Sequence, residues 1–585
     1  MNDSSAPAPR EVRYEPDENP PAALSLGLGM QYALLSIGGI VLTPAIVIRS
    51  AGGGEGYLLW AVFAGLCVCG ITTLVQAVRV GRIGAGYILL MGTSGAFIAV
   101  SVSALVEGGP GLLAALVIAS SLFQFALASH LSLLRRIITP LVAGTVIMLI
   151  AVTIIPIAFD MMAQVPEGIP AVGVQACAAA TLVATIVLAL LAKGAWRLWA
   201  PVIGVGLGCI VASFYGLYDT TMIGSAPWIG LPGTDWPGID LSFGLSFWTL
   251  LPVFVLVTVV GAIETIGDAI GIQHVSWREP RATDFRVVQG AVAADGLGNL
   301  LSGLTCTVPN TTYSSSVAIT ELTGVAARSV GVCIGGLFFA FAFMPKVTAV
   351  ILAIPSAVVA SYLLVLLAIL FALGMRIVVK DGLDYRKSVV VGVAFWLGVG
   401  FQNQQIFADG LGEFAASILG NGMTAGGLAA ILMVLLMQLA EPRRRTLKTT
   451  LTAKSLPGMD SFLREFAEDK RWDDEAANRL RAAGEEVILS LLPAEEESED
   501  PPKHLFFVLS GDRNAAEMEL IASSTEQNLE DRLALLGHWA DEGGEAHISL
   551  KLLQHYASSV RHQQYHGTDI VTVRVDRVRS AKQRG

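Results

Sequence analysis

Charged side chains are scarce in this chain. Asp, Glu, Lys and Arg make up 15% of its 585 residues, against roughly 25% in a soluble globular domain. The scarcity is regional: residues 22–440 carry few ionisable groups, and most of the charge lies in the first 20 residues and in 441–585. The net charge of −10 therefore describes the polar ends and names no partner. No basic stripe with interleaved aromatics occurs, so nucleic acid is not an expected partner. Cysteine is sparse as well. Cys67, Cys69, Cys177, Cys209, Cys306 and Cys333 all sit in apolar runs, which argues against a disulfide framework. Cys67-Val-Cys69 has no His or further Cys beside it and reads as small apolar filler. A phosphate loop and a metal-ligand cluster are both missing from the apolar part, so neither ATP-driven pumping nor enzyme catalysis is expected, and no cofactor or metal. Met1–Pro21 is polar and Pro-rich, without a basic stretch leading into a short apolar core. It is expected to be a disordered tail rather than a cleaved signal.

Long apolar runs are what the chain has instead. A bilayer core of roughly 30 Å needs about 20 apolar residues in helix. Fourteen candidate spans follow, near 25–48, 57–78, 86–106, 110–128, 138–159, 171–192, 199–217, 246–272, 287–304, 312–325, 327–344, 347–375, 386–401 and 424–440. The connections alternate in charge. Arg79 and Arg82, Arg135 and Arg136, Lys193 and Arg197, Arg278, Arg281 and Arg286, Arg328, and Arg376 to Lys387 fall in every second loop. The other loops hold only Arg49 and Lys346 among Lys and Arg, with acids such as Glu55, Glu107, Asp160, Asp240, Asp409 and Glu413. Positive residues stay on the cytoplasmic side, so the reading is a multi-pass protein of a bacterial inner membrane with both termini in the cytoplasm.

Two of these segments are short and interrupted. The third opens on Gly84-Ala-Gly86 and holds Gly92-Thr-Ser-Gly95; the tenth opens on Pro309-Asn-Thr-Thr-Tyr-Ser-Ser-Ser316. Each falls third in one half of a 7+7 division. Broken segments at matching places in two halves point to a carrier's midplane site, because irregular backbone at that depth must face protein or a water-filled cavity.

Three acids lie inside spans: Glu264 and Asp268 in Gly261-Ala-Ile-Glu-Thr-Ile-Gly-Asp268, and Asp295 in Ala293-Ala-Asp-Gly-Leu-Gly-Asn299. A four-residue spacing puts Glu264 and Asp268 on one helix face. A carboxylate at the bilayer centre costs at least about 2.5–3.5 kcal/mol, so each acid either braces the helix packing or marks a substrate or ion path. All three are candidates to carry a proton.

These residues resemble those of the nucleobase/ascorbate transporters, the xanthine/uracil permeases. The likeness runs over about 12–440. It rests most on Ala294-Asp-Gly-Leu-Gly-Asn-Leu-Leu-Ser-Gly-Leu-Thr-Cys-Thr-Val-Pro-Asn-Thr-Thr-Tyr313, on Leu322-Thr-Gly-Val-Ala-Ala-Arg328 and on Glu264-Thr-Ile-Gly-Asp268. Gly29-Met-Gln-Tyr32 with Pro44, Thr93-Ser94 with Phe97, and Tyr14-Glu-Pro-Asp-Glu-Asn-Pro-Pro21 are similar to family motifs too. The resemblance implies an all-α polytopic fold of inverted 7+7 repeats. A core would span about 25–128 and 246–344, and a gate about 138–217 and 347–440. It implies an elevator-type movement, a homodimer embedded in lipid, and a nucleobase held by Glu264, Asp268, Tyr313, Ser314, Ser315, Ser94 and Gly95. Gln31, Pro309, Asn310, Thr323 and Gly324 would shape the motifs. Symport with H+ or Na+ would be driven through Glu264, Asp268 or Asp295. The chain departs from the family pattern at Ser315-Ser316-Val317-Ala318, where a long polar side chain, Asn and Gly are usual, at Tyr32 and at Gly95. This implies a wider, less polar pocket, suited to xanthine, uracil, urate or another cyclic amide.

From Thr446 the composition is that of a soluble protein. Helical patterning over 459–491, an acidic linker at 494–502, strands at 504–510 and 517–523, a helix near 544–561 and a strand at 569–575 predict a small cytoplasmic α+β domain at 446–585. Its order faintly resembles a degenerate histidine-kinase-type ATPase. Ser490 stands where the nucleotide motif has Asn, and the Asp-any-Gly box is missing. His547, His555, His562 and His566 read as surface rather than metal ligands. Two other functions fit parts of the sequence: an anion carrier of the sulfate-permease type, which two site acids disfavour, and a membrane ligand sensor that signals through the C-terminal domain.

Overall fold

The computed structural model describes residues 12–134, 139–166, 168–218, 220–232, 236–279, 281–380, 382–403, 422–439, 444–491, 504–522, 529, 545–566 and 568–577. Residues 1–11, Arg135 and Arg136, Asp409 and Glu413, and the 494–502 linker lie outside them, as does the side chain of His547. The chain divides into two compact units, Met1–Glu279 with Val287–Met437, and Pro280–Arg286 with Gln438–Gly585.

In the first unit the long helices are α1 (Ala22–Ser50), α2 (Glu55–Val78), α3 (Ile98–Ser129), α4 (Pro140–Ala163), α5 (Ala171–Leu191), α6 (Ala200–Phe214), α7 (Leu245–Val275) and α8 (Phe285–Leu304). There follow α9 (Ser315–Thr323), α10 (Arg328–Ala342), α11 (Pro345–Leu352), α12 (Ser356–Lys380), α13 (Tyr385–Gln402) and α14 (Gly422–Leu439). Among the described residues seven helices are long and apolar enough to cross a membrane, and α10 with α11 makes a further pair bent by 83°. This is a multi-pass membrane protein. Local chemistry sets the breaks. Gly109 turns α3 with φ 70, a value that favours glycine, and Pro110 follows it. The expected single run 347–375 is instead divided between α11 and α12, because Pro355 has no N–H to continue a helix. Pro140 opens α4, where a missing N–H costs nothing, and the Thr139 hydroxyl accepts from Val142 N.

The helices pack as two groups. α1 lies on α2 and α10, α2 on α10, and α7 on α3 and α9; α4 lies on α12 and α13, and α5 on α6 and α12. Between α3 and α9 the backbone is extended. β1 (Met91–Thr93), just before α3, pairs antiparallel with β2 (Asn310–Thr312), just before α9, in the register Met91–Thr312, Gly92–Thr311 and Thr93–Asn310. A side chain on Gly92 would run into the Tyr313 ring, which lies against this glycine.

Residues 12–21, expected to belong to a disordered tail, are held against the rest of the unit. Arg13 N and Tyr14 N donate to Gly324 O at 2.7 and 3.2 Å, and Ala326 N donates to Tyr14 O at 2.8 Å. The Arg278 guanidinium donates to both Glu18 oxygens at 2.8 and 2.7 Å. Residues 12–18 thus form a strap over the ends of α7 and α9. It is held by ion pairs and backbone hydrogen bonds to distant segments, which the polar, Pro-rich composition of the stretch does not reveal.

The second unit is α+β. β3 (Arg445–Thr450), β4 (His504–Gly511), β5 (Ala515–Ala522), β6 (Ser559–Tyr565) and β7 (Thr568–Asp576) form an antiparallel sheet in the order β3-β4-β5-β7-β6. The helices are α15 (Leu456–Asp469), α16 (Asp474–Leu491) and α17 (Glu545–Tyr556). Alternation along β5 buries Ala516, Met518, Leu520 and Ala522, and these meet Leu463, Phe466, Leu480 and Val487 of α15 and α16. The helix expected over 544–561 stops at Tyr556, and β6 takes over. β6 turns His562 and Gln564 inward, so its alternation is polar and leaves no hydrophobic trace. Its His562 faces Asp569 at 3.4 Å and is buried, not the surface residue expected. The unit also takes in Pro280–Arg286, outside the expected limits of 446–585.

Candidate functional site

The two short strands fix the site. Ser94 N donates to Pro309 O and Tyr313 N to Leu90 O, both at 2.8 Å, so the pairing extends one residue past each end of the ladder. Immediately beyond, Gly95–Phe97 turns into α3 and Ser315 starts α9. The ladder is antiparallel, so the two helix N-termini begin at its opposite ends, and the first N–H groups of a helix have no partner within it. These termini favour electronegative groups of a ligand.

α7 runs past β2 and brings its acids there. Asp268, 6% exposed, is held by two hydroxyls: Ser314 Oγ donates to its Oδ1 at 2.6 Å and Thr312 Oγ1 to its Oδ2 at 2.7 Å. Thr312 Oγ1 also lies 3.3 Å from Thr265 Oγ1. Thr265 Oγ1 in turn donates to Asp295 Oδ2 at 2.9 Å. Asp295, fully buried on α8, receives Gln124 Nε2 from α3 at 2.7 Å on the same oxygen. Gln124 Oε1 accepts from Asn299 Nδ2 at 2.8 Å, and Asn299 Oδ1 accepts the backbone N–H of Asn310 at 2.8 Å. A continuous polar path thus runs from Asp268 through Thr312 and Thr265 to Asp295, then through Gln124 and Asn299 back to β2. Asp295 Oδ1 is buried without a donor among the described residues.

Glu264 differs from both. It is half-buried, its nearest charged neighbours are Asp268 and Asp295, and no described residue donates a hydrogen bond to it. None of the three acids has a cationic partner among the described residues. Taking a charge from water without compensation is expensive. Two of the carboxyls are compensated internally by hydroxyls and an amide. The third, Glu264, is left open one turn along α7 from Asp268.

A sequence model of the permease family matches residues 24–408. The chain belongs to the permease family. A Clostridium perfringens protein bearing the name of a purine permease is 30% identical over 415 residues, covering 69% of this chain and 88% of that one. The xanthine permease XanP of Escherichia coli is 28% identical, covering 73% and 94%. The uric acid permease PucK of Bacillus subtilis is 26% identical, covering 72% and 97%. Among solved structures, the transmembrane domain of a cyanobacterium bicarbonate transporter, BicA, is similar at 16% identity and TM-score 0.42, covering 72% of this chain and 100% of that one. The murine Solute Carrier 26 family member A9 anion transporter aligns at 10% identity and TM-score 0.47, covering 74% and 71%.

In the permease, Ser94 and Gly95 stand where β1 gives way to α3 and Ser314 where β2 gives way to α9; Asp268 joins Ser314, and Glu264 lies one turn away on α7. Other sequence candidates hold backbone. Tyr313 donates its hydroxyl to Thr93 O at 3.0 Å and packs over Gly92, with Glu264 among its electrostatic neighbours. The Ser94 hydroxyl is buried without a partner among the described residues, and Ser315 begins α9. Pro309 and Asn310 supply the strand contacts above. Gly324 closes α9 in the left-handed region at φ 68, after Thr323, whose hydroxyl donates to Ile319 O at 2.9 Å. Gln31 hydrogen-bonds no described residue; its neighbour Tyr32 reaches Thr320 Oγ1 at 2.9 Å instead.

Sequence reasoning missed Thr265, Thr312 and Gln124, the hydroxyls and amide that hold the acids. A lone amide in an apolar span, as Gln124 is, was the one signal that could have found them. It also missed α12, whose Leu366 Cδ2 lies 3.8 Å from the position of a Cβ on Gly95 and whose Tyr362 neighbours Tyr313. Nothing in an apolar run distinguishes those two positions.

Proposed function

We propose that this permease is a secondary active symporter for a nucleobase such as xanthine, uracil or urate, and that the base binds where β1 and β2 give way to α3 and α9. One observation carries the reading: Glu264 is half-buried and has no donor among the described residues, beside an Asp268 already held by Ser314 and Thr312. A nucleobase offers adjacent ring N–H donors and C=O acceptors. Glu264 takes the donors, and the N–H groups opening α3 and α9 take the carbonyls. The relatives named for purine, xanthine and uric acid support this class. The residues Ser315-Ser316-Val317-Ala318 leave one ring edge without a long polar clamp, in keeping with a wider base.

The two helix groups support a mechanism of the following kind. α1–α3 and α7–α10 form a core that carries the acids, and α4–α6 with α12–α14 form a gate, fourteen spans in two inverted halves when α3 counts as two across its break at Gly109. The core slides against the gate as an elevator, within a homodimer and with both termini cytoplasmic. Accumulation is coupled to H+ or Na+. A proton taken up by Glu264, Asp268 or Asp295 offsets the missing cation, and the Thr312–Thr265 hydroxyls join the last two. Two acids at the site disfavour an anion as substrate.

The experiment is uptake of radiolabelled xanthine, uracil and urate by cells lacking their own nucleobase carriers. Saturable accumulation of one of them that collapses when the proton gradient is dissipated is expected. Accumulation that survives this and stops on sodium removal assigns Na+ instead. Transport of none of them sinks the nucleobase reading.

A further inference from the structure

The segment between α7 and α8 belongs, from Pro280 to Arg286, to the same compact unit as the C-terminal domain. The contacts are specific. Asp284 forms a parallel bridge with Gln564 of β6, the edge strand of the sheet. The Phe285 ring meets the Tyr565 ring at a centroid distance of 5.1 Å. Arg286 is pinned beside them, with its Nε and Nη2 donating to the two Asp284 oxygens at 2.9 and 3.0 Å, and Asp569 of β7 is among its charged neighbours. An edge strand presents unpaired backbone groups and accepts another extended segment readily. Here the acceptor edge is occupied by the connection between the helices that carry Glu264, Asp268 and Asp295.

Chain connectivity gives this contact a consequence. Only residues 440–444 separate α14 from β3, a tether of roughly 20 Å at most. The domain is therefore leashed to the last helix of the gate and closed on a loop of the core.

We infer that the C-terminal domain is a brake: through the β6 edge it grips the α7–α8 connection and limits the excursion of the core against the gate. A ligand or partner that opens this grip raises turnover, since any difference in affinity for the gripped and released states shifts the balance between them. The inference rests on the chain being a carrier, not on which base it carries.

The test uses the full chain in membrane vesicles. Asp284→Cys with Gln564→Cys places two thiols at paired positions, within the reach of a disulfide, and the six native cysteines all lie in the first unit. Oxidation is expected to cross-link the pair, read on a gel after cleavage in the 494–502 linker. It should also lower the initial uptake rate about fivefold or more, restored by reductant. In parallel, Phe285→Ala removes the ring contact from the loop side and leaves the core of the domain intact. Its turnover should rise severalfold at unchanged KM. A pair that fails to cross-link, equal rates for oxidised and reduced protein, or a Phe285→Ala turnover at or below that of wild type overturns the brake. A wild-type chain that moves no nucleobase defeats the substrate reading instead, and the cross-link is scored without any substrate.

Discussion

Ser314 Oγ donates to Asp268 Oδ1 at 2.6 Å, joining the first turn of the short helix α9 to the acid-bearing helix α7. With Thr312 on the other oxygen, Asp268 is fixed in place rather than left to seek a ligand. A hydrogen bond to a charged group contributes about 1.5–3 kcal/mol. Ser314→Ala should therefore weaken substrate binding roughly tenfold or more, seen as a raised KM for uptake. Ser314→Thr, which keeps the hydroxyl, should restore most of it. Equal KM values for wild type and Ser314→Ala would separate this contact from binding.

Gln124 supports Asp295 from α3, with Nε2 on Asp295 Oδ2 and Oε1 on Asn299. Gln124→Ala leaves both partners short of a contact in a buried site, at a cost of about 1–3 kcal/mol each. The expected outcome is lower thermal stability together with reduced turnover. Gln124→Leu, which fills the space without the amide, should be no better. Normal transport by Gln124→Leu would mean that Asp295 needs no donor from α3.

Gly92→Ala places a methyl group against the Tyr313 ring, between β1 and β2. The ring cannot yield without losing its bond to Thr93 O, so the strand pair is expected to open. The protein should reach the membrane in reduced amount and bind no substrate. Wild-type uptake by Gly92→Ala would show that the strand pairing is not required.

In the C-terminal unit, Asp460 is hydrogen-bonded by Arg481 and by Arg464, and these bonds hold its carboxyl below the usual carboxylate value of 3.8. A lowered folded-state pKa stabilises at every pH above the unfolded value and is lost as pH falls through the folded one. Solvent screening keeps the contribution small, about 1 kcal/mol or less. Asp460→Asn should therefore speed amide exchange in α15 and α16 to the same degree from pH 8 down to 5. Below the usual carboxylate value the difference from wild type should fade. A difference that grows on acidification would contradict the assignment.

The chemical part of the candidate site is legible in the sequence as an expectation. Acids are expensive in an apolar span, so Glu264 and Asp268 four residues apart, with Pro309–Ser316 interrupting another run, point to a polar site within the bilayer. The partners were not legible, because Thr and Gln occur in spanning helices for many reasons. Only the fold shows that Thr265 and Thr312 join two acids separated by 27 residues, Asp268 and Asp295. Tyr362 and Leu366 escaped for the same reason, since packing alone chooses which face of α12 meets the site. In the C-terminal unit the strands with apolar alternation were found, and β6, whose inward residues His562 and Gln564 are polar, was read as helix.

Everything functional here turns on Glu264 being the unpaired acceptor that a base completes. Calorimetric titration of the purified chain and its Glu264→Gln variant with xanthine, uracil and urate tests this directly. Wild type should bind one of them saturably, while Glu264→Gln, folded and inserted, should show at least a hundredfold weaker binding, as expected for an acceptor lost from a buried polar site. Equal affinity in the two proteins would contradict the account.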